Sequence, residues 1–577
     1  MFQQTLDPVA GSLTLSALCA AIPLVTLFVL LGGLRIKAWI AGVVSLVVSI
    51  VVAVALFGMP VGQALLAGGE GAAFGFFPIL WIVINAIWVY NLTVETGHFD
   101  VLRRSFERVS ADHRIQAIII AFCFGALLEA LAGFGTPVAI TVVMLLALGF
   151  QPIKAAAVAL IANTAPVAFG ALATPIVTLA TVAGGANNDP RLTVGTLGAM
   201  VGRQTPLLAV IVPLILVFVV DGRRGIKQAW LPAIAAGIAF AVAQFVASNY
   251  ISVPLTDIVA ALVSAGAVVL LLRVWKPTQE LTEIEEPAGQ AQSTTTGAAV
   301  GTSRGGQQSA GRTVQAGAGG PAPAGRVSDT TAEEVKAYAP YAIIIAVFSI
   351  ANIPAIKDAL SVAPWSYKFG WPALNVLAPS GKALSSISFS LNWLPAAGTL
   401  LIIAGILTAI VLRISPARML RAYGATYYEL RWAIVTVMAV LALAYVMNTS
   451  GQTLSLGAWL AGTGGLYVVP SPILGWLGVG VTGSDTSANA LFGALQVQTA
   501  TKAGLDPVLM AAANSSGGVL GKMISPQNLA IAAAAVGIAG REGDIFRKVI
   551  GWSLALLAVM CVIVVLQSTA ILGWMVP

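Results

Sequence analysis

The sequence predicts an all-α polytopic membrane protein built from two inverted-topology repeats with broken helices or re-entrant hairpins. Three observations carry that expectation. The 577 residues are 58% hydrophobic and 9% charged, the mean hydropathy is +0.91, and apolar runs of about 18 residues or more recur along the chain. Two of these runs are interrupted by Gly/Thr-rich breaks that each carry a carboxylate: Leu127-Leu-Glu-Ala-Leu-Ala-Gly-Phe-Gly-Thr-Pro137 and Gly480-Val-Thr-Gly-Ser-Asp-Thr-Ser-Ala-Asn489. Non-helical backbone inside a membrane is tolerated only where protein buries it or a watery cavity faces it. One break falls in each half of the chain, the pattern of a transporter whose site lies between two repeats.

The first span, Leu13 to Leu34, is too long for a signal-peptide core, and Arg35 and Lys37 follow it rather than precede it. Further spans are expected at 38–57, 72–92, 115–131, 136–149, 153–172, 174–183, 195–220, 229–248 and 254–274, and then at 339–356, 396–412, 432–449, 457–482, 488–500, 506–521, 526–540 and 549–572. Those beside the breaks are too short to cross ~30 Å of hydrocarbon at ~1.5 Å per residue, as half-helices would be. Basic loops at Arg35/Lys37, Arg103 to Arg114, Arg223 to Lys227, Arg413 to Arg421 and Arg541 to Lys548 are expected in the cytoplasm, which puts the N-terminus outside. Charge alone then makes block 115–194 begin inside and end outside, and block 450–540 the reverse. Motifs recur in order between the blocks: Gly133-Phe-Gly-Thr-Pro137 with Gly483-Ser-Asp-Thr-Ser487, Asn163-Thr164 with Asn514-Ser515, and Thr174-Pro175 with Ser525-Pro526.

This divides the chain into an N-terminal transmembrane half, 1–276, a linker, 277–337, and a C-terminal transmembrane half, 338–577. The linker has no aromatic residue and is rich in Gly, Ala, Gln, Ser, Thr and Pro. It cannot bury enough apolar surface to offset the entropy of ordering, so a disordered cytoplasmic connection is expected. Residues 357–395 form the longest outside segment, and Trp365, Tyr367, Trp371 and Trp393 fit an interfacial belt. The net charge of +7 comes mainly from short loops and does not point to nucleic acid. Cys19, Cys123 and Cys561 lie far apart in apolar segments, and His98 and His113 flank one charged loop, so neither a metal centre nor a cofactor is expected. Nothing in the sequence sets an oligomeric state.

Among candidate site residues, Glu129 and Asp485 are the acids beside the breaks. An ionisable residue at membrane depth is paired, protonated or facing water, and marks a functional site by default. Glu129 reads as a proton carrier, or as a structural hydrogen-bonding partner of a neighbouring helix. Asp485 reads as a proton or cation acceptor, as the partner of a Lys or Arg, or as the N-cap of the following helix. Lys522 and Arg203 are the cations that could hold a carboxylate, Lys522 the better placed because Arg203 stands near a span end and can snorkel. Gly133, Gly135, Thr136, Ser484, Thr486 and Ser487 at the breaks, with Asn163, Thr164, Asn514, Ser515, Ser516 and Gln527, supply the polar lining. Glu70 is expected to be interfacial.

At these residues the chain resembles the bacterial lactate permease family. The likeness rests on Leu128-Glu-Ala-Leu-Ala-Gly-Phe-Gly-Thr-Pro-Val-Ala-Ile140, Asn163-Thr-Ala-Pro-Val-Ala-Phe-Gly170, Val201-Gly-Arg-Gln204, Gly475-Trp-Leu-Gly-Val479, Thr482-Gly-Ser-Asp-Thr-Ser487 and Gly521-Lys-Met-Ile-Ser-Pro-Gln527. It implies proton-coupled uptake of L-lactate, with D-lactate and glycolate as further substrates, across a bacterial inner membrane, and no enzymatic activity. Two other readings stand beside it: a Na⁺-coupled carrier of other small carboxylates using Asp485 and Thr486, and, remotely, an intramembrane hydrolase. The hydrolase would need a second carboxylate or a general base at its site.

Overall fold

A computed structural model describes residues 2–577 except 35, 134, 188, 282–328, 352, 382, 383, 385, 386, 539 and 540. Helix dominates, and among the described residues eleven helices are long and apolar enough to cross a membrane. Strands form two short pairs: Tyr367–Gly370 runs antiparallel to Ser388–Leu391, and Phe2–Gln3 runs parallel to Val376–Leu377. The aromatic segment thus folds on itself, with the Trp365 and Trp393 rings 5.5 Å apart, and it holds the N-terminus at its own end of the molecule.

The two interrupted blocks share one order of elements. In the first, Gly125–Ala132 and Thr136–Ala147 pack as a hairpin. His113 Nε2 lies 2.6 Å from Leu148 O, so both arms finish at one end. Arg114 pairs with Asp112 at 2.6 Å and with Asp221 at 3.2 Å in the same region. Pro152–Ala162 follows, the chain breaks over 163–169, and Gly170–Ala186 continues. In the second block Pro470–Thr482 and Asp485–Ala503 form the hairpin, then come Pro507–Gly521, a break at Lys522, and Pro526–Ala535. Here the arms finish at the opposite end, where Tyr467 Oη and Ser471 Oγ donate to Gln496 Oε1 at 2.9 and 2.8 Å. Arg191 joins the blocks there, reaching Asp189 and Asp506 at 2.8 Å each. Hydrogen bonding to Arg191 holds the Asp189 carboxyl below the usual carboxylate range. Prolines at the first turns of the Pro152, Pro507 and Pro526 helices cost no hydrogen bond, because those N–H groups have no intrahelical partner anyway.

Around the blocks stands a frame in which Ala38–Ala55 and Val61–Phe74 pack along the 35-residue Pro416–Ser450 helix. Several expected boundaries shift. The spans expected at 153–172 and 457–482 are each interrupted, at 163–169 and by the 3₁₀ turn Gly464–Val468. The span expected at 195–220 breaks after Val194–Val201 and again after Thr205–Ala209. Asn163 ends its helix whereas Asn514 lies inside one, so their expected register is not kept. Most of the expected linker lies outside the described residues, but its last part is helical: Thr331–Ala351 begins inside it. A capping box sets that start. Thr330 N donates to Glu333 Oε2 at 2.7 Å, and Glu333 N donates to Thr330 Oγ1 at 3.3 Å.

Candidate functional site

Both hairpin tips turn on a glycine in the left-handed region, Gly135 at φ +87° and Gly483 at φ +75°. A β-carbon on Gly135 would lie 2.4 Å from Ile531 Cδ1, and one on Gly483 would lie 2.6 Å from Gln527 Oε1. The left-handed backbone disfavours a side chain at these tips, and one would also displace Ile531 or Gln527; both tips converge on the Pro526–Ala535 helix. Asn528 Nδ2 donates to Gly483 O at 3.4 Å. Ser484, not Asp485, caps the helix after the second tip, accepting from Ser487 N at 3.3 Å. The N-cap reading of Asp485 is corrected by that geometry.

A buried ion pair joins the blocks. Lys522 Nζ donates to Glu129 Oε1 at 2.6 Å, and Asn163 Nδ2 donates to Glu129 Oε2 at 2.9 Å. Lys522 is delivered by the break after Gly521, and Glu129 by the helix leading to the first tip. Gly170 makes room for the carboxylate, since a β-carbon there would come within 2.7 Å of Glu129 Oε1. Beside Gly170, Ala171, Leu172 and Ala173 all adopt positive φ, 43°, 53° and 60°. Each such non-glycine residue costs about 1–2 kcal/mol, strain of the kind that collects at functional sites.

Asp485 is buried nearby. Its Oδ2 accepts from Ser515 Oγ at 2.6 Å and from Asn489 Nδ2 at 3.2 Å. Its Oδ1 packs against Gly518, where a β-carbon would lie 2.3 Å away, and has no hydrogen-bond partner among the described residues. Asn489 also donates to Pro175 O at 3.2 Å and accepts from Asn514 Nδ2 at 2.9 Å. A cavity of ≈ 1180 Å³ opens onto both acids and Lys522. Gly133, Gly170, Thr174 and Pro175 line it from the first block, and Ser484, Thr486, Ser487 and Gln527 from the second. Lys37, Trp39, Arg431, Trp432 and Glu542 also line it.

The remaining expected residues do not line this cavity. Gly135 and Thr136 build the first tip. Thr164 Oγ1 donates to Ile161 O at 2.7 Å. Ser516 Oγ donates to Gln204 Oε1 at 2.7 Å, while Asn514 and Ser515 act through Asn489 and Asp485. Arg203 binds Asn249 Oδ1 at 2.9 Å and Met575 O at 2.7 Å. The break after Val201 turns it toward the C-terminus, so it ties the fold instead of facing the ion pair. Glu70, expected at the interface, is buried within the protein and 0% exposed. Gly71 lets the Pro416–Ser450 helix approach so closely that a β-carbon would meet Leu441 O at 2.5 Å, and this contact buries the acid. Sequence reasoning missed Thr174, which lines the cavity, and Asn489, which holds Asp485. Asn489 follows Asp485 by one helical turn, so its signal was present.

A polytopic helical bundle whose two broken hairpins meet with their tips at a charged cavity is a membrane transport protein. The L-lactate permease family model matches residues 16–571, and the chain belongs to that family. It is 40% identical to the L-lactate permease of Bacillus subtilis, over 100% of this chain and 99% of the relative. It is 41% identical to the glycolate permease GlcA of Escherichia coli K12, over 98% of each, and 38% identical to the L-lactate permease of the same organism, over 100% of each. Among solved structures it is similar to the Alcanivorax borkumensis YdaH transporter, with a TM-score of 0.43 and 14% identity over 86% of each chain. The family's named members are permeases, not enzymes.

Proposed function

We propose that the chain is a secondary active transporter that takes up L-lactate together with a proton across the bacterial inner membrane, with D-lactate and glycolate as further substrates. The observation that carries this reading is the Lys522–Glu129 pair, 2.6 Å long and exposed to the cavity between the two tips. An entering carboxylate is drawn to the Lys522 ammonium and competes with Glu129 for it. Glu129 left without its cation would be an uncompensated buried charge, a loss of about 3–5 kcal/mol. A proton on Glu129 removes that cost, so lactate and proton favour each other's binding, and the linkage is reciprocal. Asp485, with one oxygen unpartnered among the described residues, is the second proton acceptor.

Symport also removes an electrical barrier. Lactate is an anion near pH 7, and an inside-negative potential opposes its entry by ~2.3 kcal/mol per 100 mV. One proton carried with each lactate cancels that term. Blocks 115–194 and 450–540 serve as the inverted repeats, in halves 1–276 and 338–577 joined by the 277–337 cytoplasmic linker. With the N-terminus outside and the basic loops inside, the cavity beside Lys37 and Arg431 faces the cytoplasm, and alternating access exchanges it for one on the other side. Labelled lactate uptake into proteoliposomes, driven separately by a pH gradient and a Na⁺ gradient, tests this. The pH gradient should drive accumulation; dependence on Na⁺ with no response to pH would replace the proton with Na⁺ at Asp485 and Thr486.

A further inference from the structure

Asp257 lies in the Thr256–Leu271 helix, is 0% exposed and stands outside the cavity. Its Oδ1 accepts from Gln244 Nε2 at 3.2 Å, and its Oδ2 has no hydrogen-bond partner among the described residues. The charged groups it faces are Glu129 on the Gly125–Ala132 helix and Lys522 at the second break. The other elements packed on its helix bring neutral partners: Gln244 from Val212–Val246, and Cys123, whose Sγ lies 3.4 Å from Ser264 Oγ. The charges of Val212–Val246, from Asp221 to Lys227, sit at the kink around Asp221 and Gly222, where Asp221 meets Arg114. A carboxylate with one amide donor, no ion pair among the described residues, and the Glu129 charge to set against that of Lys522 is a costly species in such a place, whereas the neutral acid is not.

Gln244 leads from this acid to the ion pair. Its Nε2 also donates to Ala165 O at 3.2 Å, and its Oε1 accepts from Thr205 Oγ1 at 3.2 Å. Ala165 lies two residues beyond Asn163, the residue that holds Glu129 Oε2. We propose that Asp257 is a further proton-binding carboxyl of this carrier, whose occupancy is passed through Gln244 to the 163–169 break and so to Glu129. Both hydrogens of the Gln244 amide are used, one on Asp257 Oδ1 and one on Ala165 O. Ionised, Asp257 pulls the amide toward itself and weakens the Ala165 bond; protonated, it relaxes that pull and leaves the break held more firmly. The inference rests on the proton-symport reading above.

The test uses the full-length protein and the variants Asp257→Asn and Gln244→Leu. In infrared pH titrations of purified protein, the carbonyl band of a protonated carboxylic acid should be weaker in Asp257→Asn than in wild type and present in Gln244→Leu. In proteoliposomes, both variants should still exchange lactate with no gradient applied, while their proton-driven uptake changes about fivefold or more, the lower range of a coupling free energy. An unaltered infrared band in Asp257→Asn, or wild-type pH profiles in both variants, would overturn the proposal. Wild-type uptake indifferent to pH would instead sink the symport reading, while the infrared measurement would still report on Asp257.

Discussion

Removing the Lys522 ammonium strands the Glu129 carboxylate among Asn163, Gly133 and Gly170. Lys522→Ala should therefore lose about 3–5 kcal/mol of stability, as one-sided loss of a buried pair does. Adding Glu129→Gln should restore part of it, a non-additivity that thermal unfolding of the detergent-solubilised single and double variants will read. Additive losses would mean that the two residues do not share one interaction. Glu129→Gln alone should still exchange lactate but no longer accumulate it against a gradient, as counterflow and pH-driven uptake will separate. The site residues were legible where burial is expensive: Glu129, Asp485 and Lys522 stand out because apolar runs exclude unpaired charge. Their pairing was not legible, because Lys522 reaches an acid 393 positions away. Arg203 shared the same composition signal, yet a local break aims it at Met575. Glu70 reads as interfacial because it stands near an expected span end, whereas its burial comes from the Pro416–Ser450 helix packed against Gly71.

Backbone-close packing holds the first arm of the second hairpin, Pro470–Thr482, against the Pro507–Gly521 helix. A β-carbon on Gly475 would lie 1.9 Å from Asn514 O, one on Gly517 2.1 Å from Pro472 O, and one on Gly521 2.2 Å from Trp476 O. Small residues at this spacing let membrane helices touch along their backbones. Gly517→Leu should separate the two helices and lower the yield of monodisperse protein, whereas Gly543→Leu, where a β-carbon meets open space, should leave it unchanged; equal yields would show that this contact is dispensable. The Arg191 clasp is weaker. Arg191 is partly exposed, so Arg191→Ala should cost no more than ~1 kcal/mol. Arg191 lowers the Asp189 carboxyl, so its contribution is complete above the unfolded value of about 3.9 and is lost as pH falls through the lower folded value. The difference in melting temperature between wild type and variant should thus be flat from about pH 7 to pH 5 and shrink only in stronger acid. At this scale the tips were legible from Gly and Thr inside apolar runs. The interruptions at 163–169 and 464–468 were less so, because each is flanked by residues as apolar as the helices they divide.

Across the whole molecule, composition was enough to place the chain among helical membrane proteins, and loop charge to propose opposed blocks. The meeting of two hairpin tips on one helix is a tertiary fact that no local pattern carries. That meeting puts a cation from one block against an acid from the other, and the function proposed here depends on it. The most direct measurement is net proton uptake when lactate binds purified protein in weakly buffered detergent solution, compared between wild type and Glu129→Gln. Wild type should take up a proton with each lactate bound, and Glu129→Gln should bind lactate with markedly less uptake. Lactate binding to wild type without proton uptake, or the same uptake in both proteins, would contradict the account.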